Sequence, residues 1–254
     1  MCIEHVFDTV RKVEASVASL QIAAARGRPV ATADTRLLEV PGALGGLFPD
    51  GGVRRGSTVV ISSGAGGSSV AMALAAAVTS GGCWAAAVGL PSLGLVAASE
   101  LGVRLERLAL VPHPGAQWTV VAAALLDGVD LLILAPPTRV RGADARRLAA
   151  RAREQGVVMA VLDGTTSGGA GSSGAGSSGM GWPEPPDIKL AVIRSAWDGL
   201  GAGHGHLKSR RVEIRLTGRR AAARERCRTL WLPGPAGEVA TLFEAPVDGA
   251  ALVS

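Results

Sequence analysis

A chain of 254 residues is long enough for one large α/β domain with appendages and for a sizeable buried core. Apolar residues make up 48%, which excludes a chain disordered throughout, and the net charge of +5 permits a nucleic-acid or acidic partner without requiring one. Cys2, Cys83 and Cys227 are odd in number and far apart, which excludes a disulfide framework and zinc spacing and predicts a reducing, cytoplasmic setting. The sequence opens with no charged-then-apolar leader, and it holds no run of about 18 apolar residues to span a membrane, so no membrane partner is expected.

The first predicted element is an amphipathic helix over residues 4–26. Val6, Val10, Val13, Val17 and Leu20 step by four and three residues in turn and form one apolar stripe. Such a stripe packs either on its own domain or on a partner, and these five residues are the candidate partner-binding set. Residues 1–37 are read as this helix and a linker, and residues 38–163 as an α/β core. In the core, glycine and proline mark turns before the short apolar strand "STVVI". A glycine-rich turn and a helix to about Val78 follow. "CWAAAVGL", "RLALVPH", "DLLILAPP" and "VVMAVLD" are four more apolar strands. The helices "SLGLVAASELGV", "QWTVVAAALLDG" and "GADARRLAARAREQG" separate them. Apolar strands alternating with helices predict an α/β fold with a mainly parallel sheet covered on both faces.

The pattern changes after Asp163. Residues 164–181, "GTTSGGAGSSGAGSSGMG", have linker composition and are expected to be flexible. A chain of that length spans roughly 23 Å root-mean-square. Residues 182–234 carry three alternating segments, "DIKLAVIRSAW", "RRVEIRLTG" and "CRTLWLPG", which predict an antiparallel portion completing the core. Residues 235–254 are read as a mobile tail; Leu242 and Phe243 could serve as a peptide anchor, or the segment supplies a last strand.

The turn "ISSGAGGSS" has the layout of a phosphate-binding loop, in which glycines turn backbone N–H groups inward, a lysine neutralises phosphate and a hydroxyl holds magnesium. Against G-x-x-x-x-G-K-S/T the chain offers Ser62, Gly67, Ser68 and Ser69, so the turn and the hydroxyl are present and the lysine is not. A metal-holding acid belongs at the end of "DLLILA", where Ala135, Pro136 and Pro137 stand. An activating carboxylate belongs just after "AAAV", where Gly89, Leu90, Pro91 and Ser92 stand. Phosphoryl transfer depends on positioning and charge stabilisation, and three charge positions are empty. The expectation is a vestigial nucleotide loop of Gly64, Gly66, Gly67, Ser68 and Ser69, with no catalytic residue, no metal site and no cofactor, ATP and magnesium having lost the charges that would hold them.

The segment Lys208–Arg228 holds nine basic and two acidic residues. On a strand, Arg211, Glu213 and Arg215 share a solvated face, while Arg210, Val212, Ile214 and Leu216 share the other. Lys208, Arg210, Arg211, Arg215, Arg219 and Arg220 are the candidate contacts for DNA or an acidic partner. The competing reading is an edge hairpin whose like charges discourage aggregation, and the run lacks the aromatics on which single strands stack. Arg139, Arg141, Arg146, Arg147, Arg151 and Arg153 read as a solvated helix. His204 and His206 have no neighbouring ligand to complete a metal site, and no G-x-S-x-G turn marks a nucleophile.

From Leu38 to Leu232 the order of pieces resembles the ATPase core of the RecA recombinase family. The resemblance rests on "ALGGLFPDGGVRRGSTVVISSGAGGSS" and "ASELGVRLERLALVPHPGAQWTVVAAALLDGVDLLIL". The shortened RecA-like proteins called ImuA, in the divergent form of GC-rich bacteria, have look-alikes of "VGLPSLGLVAASELGV", "WDGLGAGHGHLKSRRVEI" and "LWLPGP". This resemblance implies an adaptor in a damage-inducible mutasome that copies past DNA lesions. Its implied partners are a Y-family-like, ImuB-type protein that has lost catalysis and an error-prone C-family polymerase. The loop after the fifth strand contacts DNA in the RecA family; here it is uncharged, which argues against a recombinase-like grip. The alternatives are a DNA-dependent RecA-type ATPase using atypical residues, or a direct binder of single-stranded DNA or of the recombinase filament.

Overall fold

The computed structural model describes residues 36–40, 42–62, 66–137, 139–163, 181–200 and 205–242. The stripe Val6, Val10, Val13, Val17 and Leu20, the glycine-rich segment 164–180, Gly64, His204 and residues 243–254 lie outside them.

The central strand is β3 (Thr58–Ser62), preceded by the short strands β1 (Leu37–Glu39) and β2 (Gly52–Arg54). Helix α1 (Gly67–Ser80) is rich in alanine, and ten of its residues are buried; small side chains let it lie close on the sheet. Then follow β4 (Ala85–Val88), α2 (Leu95–Glu100), β5 (Leu108–Val111), α3 (Trp118–Leu125) and β6 (Leu131–Leu134). Helix α4 (Gly142–Gln155) buries Ala145, Leu148, Ala149 and Ala152 at helical spacing and turns its arginines outward. Gly156, at φ 67°, ends it in a left-handed cap. Strand β7 (Val158–Asp163) follows as the fifth of the parallel series that begins at β3.

Among the described residues one sheet has nine strands in the order β11-β10-β9-β8-β3-β7-β6-β4-β5. Strands β3 to β8 in that row run parallel; β8 (Ile188–Leu200), β9 (Gly205–Gly218), β10 (Arg226–Trp231) and β11 (Ala240–Thr241) are joined antiparallel. Alternate residues of each strand serve the two faces. Val59, Ile61, Ala85 and Ala87 pack with α1 and α2, while Val60, Ala86, Val88, Met159 and Val161 pack with α3 and α4. This is the predicted architecture, a mainly parallel sheet flanked by helices with an antiparallel C-terminal portion.

Two features differ from expectation. β1 and β2 form a small hairpin in register Leu38↔Val53, and Leu38, Val40, Leu44, Leu47, Phe48 and Val53 join the core on the α1 side. Three-residue strands among so many Gly and Pro read as turns. The segment expected as a tail from residue 235 is placed as far as Leu242, because β11 pairs with β10 through Leu230↔Thr241 and Trp231↔Ala240. No helix among the described residues is long and apolar enough to cross a membrane.

Candidate nucleotide loop and basic hairpin

Parallel pairing aligns the carboxyl ends of β3, β7, β6 and β4 along one edge, where ligands of open α/β sheets bind. The loop follows β3 there. Gly66 has φ 116° and Val70 N–H donates to its carbonyl at 3.0 Å, opening α1. A Cβ on the next residue, Gly67, would collide with the Ser62 carbonyl oxygen. Both positions therefore require glycine for the turn itself. Ser68 is exposed and Ser69 half-buried in the first turn of α1.

The two acid positions of a working site meet each other. Gly89, just after β4, has φ 78°, and a Cβ there would collide with the carbonyl oxygen of Ala135, just after β6. Ala135 N–H donates to Val88 O and Gly89 N–H to Val111 O, each at 2.9 Å. Ala135 is buried.

Asp163 was not singled out by sequence reasoning. It ends β7 opposite Ser62, and burial raises its carboxyl above the ordinary range, opposed by the charge of Lys189 and the Trp182 backbone N–H. An aspartate at the end of an apolar strand was the available signal. Among the described residues no group of three or more His, Cys, Asp or Glu side chains is placed to hold a metal.

Arg210 was expected on a contact surface. The structure removes it from that surface: the residue is 5% exposed and its guanidinium lies against the loop. Nη2 and Nη1 are 2.8 and 3.0 Å from where a Cβ on Gly66 would stand. Nε donates to Ser195 Oγ at 2.7 Å, and the guanidinium carbon is 5.3 Å from the Trp197 ring centroid. Burial pushes its pKa below the usual arginine value.

The other basic candidates do not gather into one patch. Lys208 and Arg211 are exposed on the outer part of β9; Arg211 reaches Asp198 at 3.4 Å and lies 5.8 Å from the Trp231 ring centroid. Arg215 pairs with Glu225 at 3.3 Å. Arg219 sits at the opposite edge of the sheet, its N–H bonded to Asp187 O beside the start of β3. It lies nine positions along the chain from Arg210, about 30 Å in extended conformation. The side chain of Arg220 lies outside the described residues. On α4, Arg151 Nε donates to Asp127 at 3.0 Å and Arg146 pairs with Glu184 at 3.1 Å, so that helix is partly tied to its neighbours.

Comparison with known proteins adds three findings. A family model described as the MT3502 N-terminal domain matches residues 46–168. The protein named Uncharacterized protein Rv3395c of Mycobacterium tuberculosis is 44% identical over 130 residues, which is 50% of this chain; the match spans 63% of that protein's length. The crystal structure of the RadB recombinase superposes with a TM-score of 0.52 at 14% identity, covering 81% of this chain and all but 1% of that one. The sheet order, the loop after β3 and this superposition together give the chain a RecA-like α/β fold, similar to that of the RadB recombinase.

Proposed function

We propose that the chain is a catalytically silent RecA-like adaptor in damage-induced mutagenesis, bridging a Y-family-like protein and an error-prone C-family polymerase during translesion synthesis. The single observation supporting the silent half is the close approach of Gly89 to the Ala135 carbonyl oxygen, which leaves no space for a side chain at 89, one of the two positions where an acid is expected. The adaptor half is supported by the sequence resemblance to ImuA-type proteins and by the RecA-like fold. The loop glycines are retained because Gly66 and Gly67 shape the entry to α1, whether or not phosphate binds. The working surfaces on this reading are the N-terminal stripe and the β8–β9 hairpin, in a cytoplasmic protein that joins the nucleoid when assembled. Purified protein should turn over no ATP above background, and Ser69→Ala should leave mutagenesis in damaged cells intact. ATP turnover that Asp163→Asn abolishes would sink the reading, since Asp163 is the carboxylate standing beside the loop strand.

A second reading has an observation of its own. The basic run carries no aromatic residue, yet pairing brings Trp197 of β8 and Trp231 of β10 beside Arg210 and Arg211. Trp197 is 41% exposed and Leu207 50%, so the hairpin offers a stacking surface for single-stranded DNA. Titration of a labelled single strand across salt separates the two: a slope near zero removes phosphate contacts, and loss of binding in Trp197→Ala supports base stacking.

A further inference from the structure

Resting on the silent-loop reading, we propose that Arg210 is a built-in stopper: a side chain from β9 that packs against Gly66, holds the turn into α1 without nucleotide, and fastens the β8–β9 hairpin to the core. The positive end of a helix is a ready place for a phosphate, and Gly66 and Gly67 stand at that end of α1. Where no phosphate binds, another group can steady the turn. Arg210 is placed for this. Its guanidinium atoms Nη2, Nη1 and Cζ lie 2.8, 3.0 and 3.1 Å from the Cβ position of Gly66, so any larger residue at 66 must expel the guanidinium.

The side chain is also held from behind. Nε is committed to Ser195 Oγ, and Trp197 lies against the guanidinium. The backbone is clamped on both sides, with Arg210 N–H donating to Pro233 O at 2.8 Å and Leu232 N–H to Arg210 O at 2.7 Å. A phosphate-gripping arginine keeps its planar fork for the ligand. Here Nε is spent on Ser195, and the two strand ends that would carry acids hold Gly89 and Ala135 instead. The same contact explains how the outer part of the hairpin is anchored. β3 pairs with β8 only at Ile188–Leu190, whereas β8 runs on to Leu200. Arg210 and Ser195 tie that overhang to the loop.

Hydrogen exchange on the full chain tests this at the amides of Gly67 to Val70. In the wild-type protein, magnesium-ATP and inorganic pyrophosphate should leave those rates unchanged. Arg210→Met should raise them about tenfold or more, while Arg147→Met, an exposed arginine on α4, should not. If Arg210→Met fails to fold, Ser195→Ala, which removes only the acceptor at Nε, should still raise exchange in that segment by a smaller factor. Unchanged exchange in the folded Arg210→Met protein, or in Ser195→Ala where that variant is the substitute, overturns the stopper. So does pyrophosphate protection that is present in wild type and lost in Arg210→Met, which would make Arg210 a phosphate ligand. ATP turnover in the same samples reports separately on the silent-loop reading: turnover with Arg210 still holding the loop refutes that reading alone.

Discussion

At Gly89 two demands coincide, a left-handed backbone at φ 78° and the Ala135 carbonyl where a side chain would begin. Gly82 has a similar φ of 83° and open space around it. The comparison separates conformation from collision. Gly82→Ala should cost about 1 kcal/mol, and Gly89→Ala about 3 kcal/mol or more, measured by urea unfolding. Asp163 gives a pH-dependent prediction. Its native pKa is raised chiefly by burial, so the folded state binds its proton more tightly than the unfolded chain does. Its contribution therefore weakens as pH rises from the unfolded value, about 3.9, through the native one. Asp163→Asn should melt higher than wild type at neutral pH, and the difference should vanish in acid below that window. Arg210 shows what residue-level reading can and cannot reach. Strand alternation already placed it on the face of Val212, Ile214 and Leu216, all of which are fully buried. That it meets Gly66, 144 positions earlier, follows from β8 pairing with β3 and from nothing local.

At the scale of elements, the parallel strands were legible because each is a short apolar run that both helix layers bury. Their alignment depends on Asp130, which no periodicity marks. Its Oδ1 accepts from Arg55 Nη1 at 2.8 Å and its Oδ2 from Trp84 N–H at 3.0 Å, while its carbonyl accepts from Val158 N–H at 2.9 Å. The carboxylate thus ties the starts of β4 and β6 to the corner between β2 and β3, and the backbone carbonyl of the same residue ties the start of β7. Asp130→Ala should cost about 3 kcal/mol by denaturant unfolding, because it leaves a partly buried guanidinium without its acid. Arg151→Ala should cost less than about 1 kcal/mol, since its pair with Asp127 is 42% and 26% exposed and water screens it. The β1–β2 hairpin and β11 were not legible as strands in the same way. They are two or three residues long, and their stability comes from Leu38 and Val53 entering the core and from the β10 edge rather than from their own pattern.

For the whole molecule, the fold closes the parallel sheet on one side with an antiparallel hairpin whose charges are spread rather than pooled. A chain lacking residues 1–26 should keep the melting temperature of the core within about 2–4 °C and lose capture of the proposed Y-family-like partner. Retention of that partner in a pull-down from damaged cells would move the docking surface to the hairpin. Sequence alone determined the α/β class, the order of the parallel strands along the chain, the glycine turn after β3 and the missing charges at Ser68, Ala135 and Gly89. These are local properties: apolar periodicity, turn chemistry and the presence or absence of an ionisable group at one position. Tertiary structure alone decided that Gly89 and Ala135 touch, that Arg210 returns a cation to the loop from a distant strand, that Trp197 and Trp231 join an arginine run without aromatics, and that Arg219 leaves it. The physical reason is sheet register. Pairing between strands far apart in sequence sets which side chains share a face, and no single segment encodes its partner's alignment.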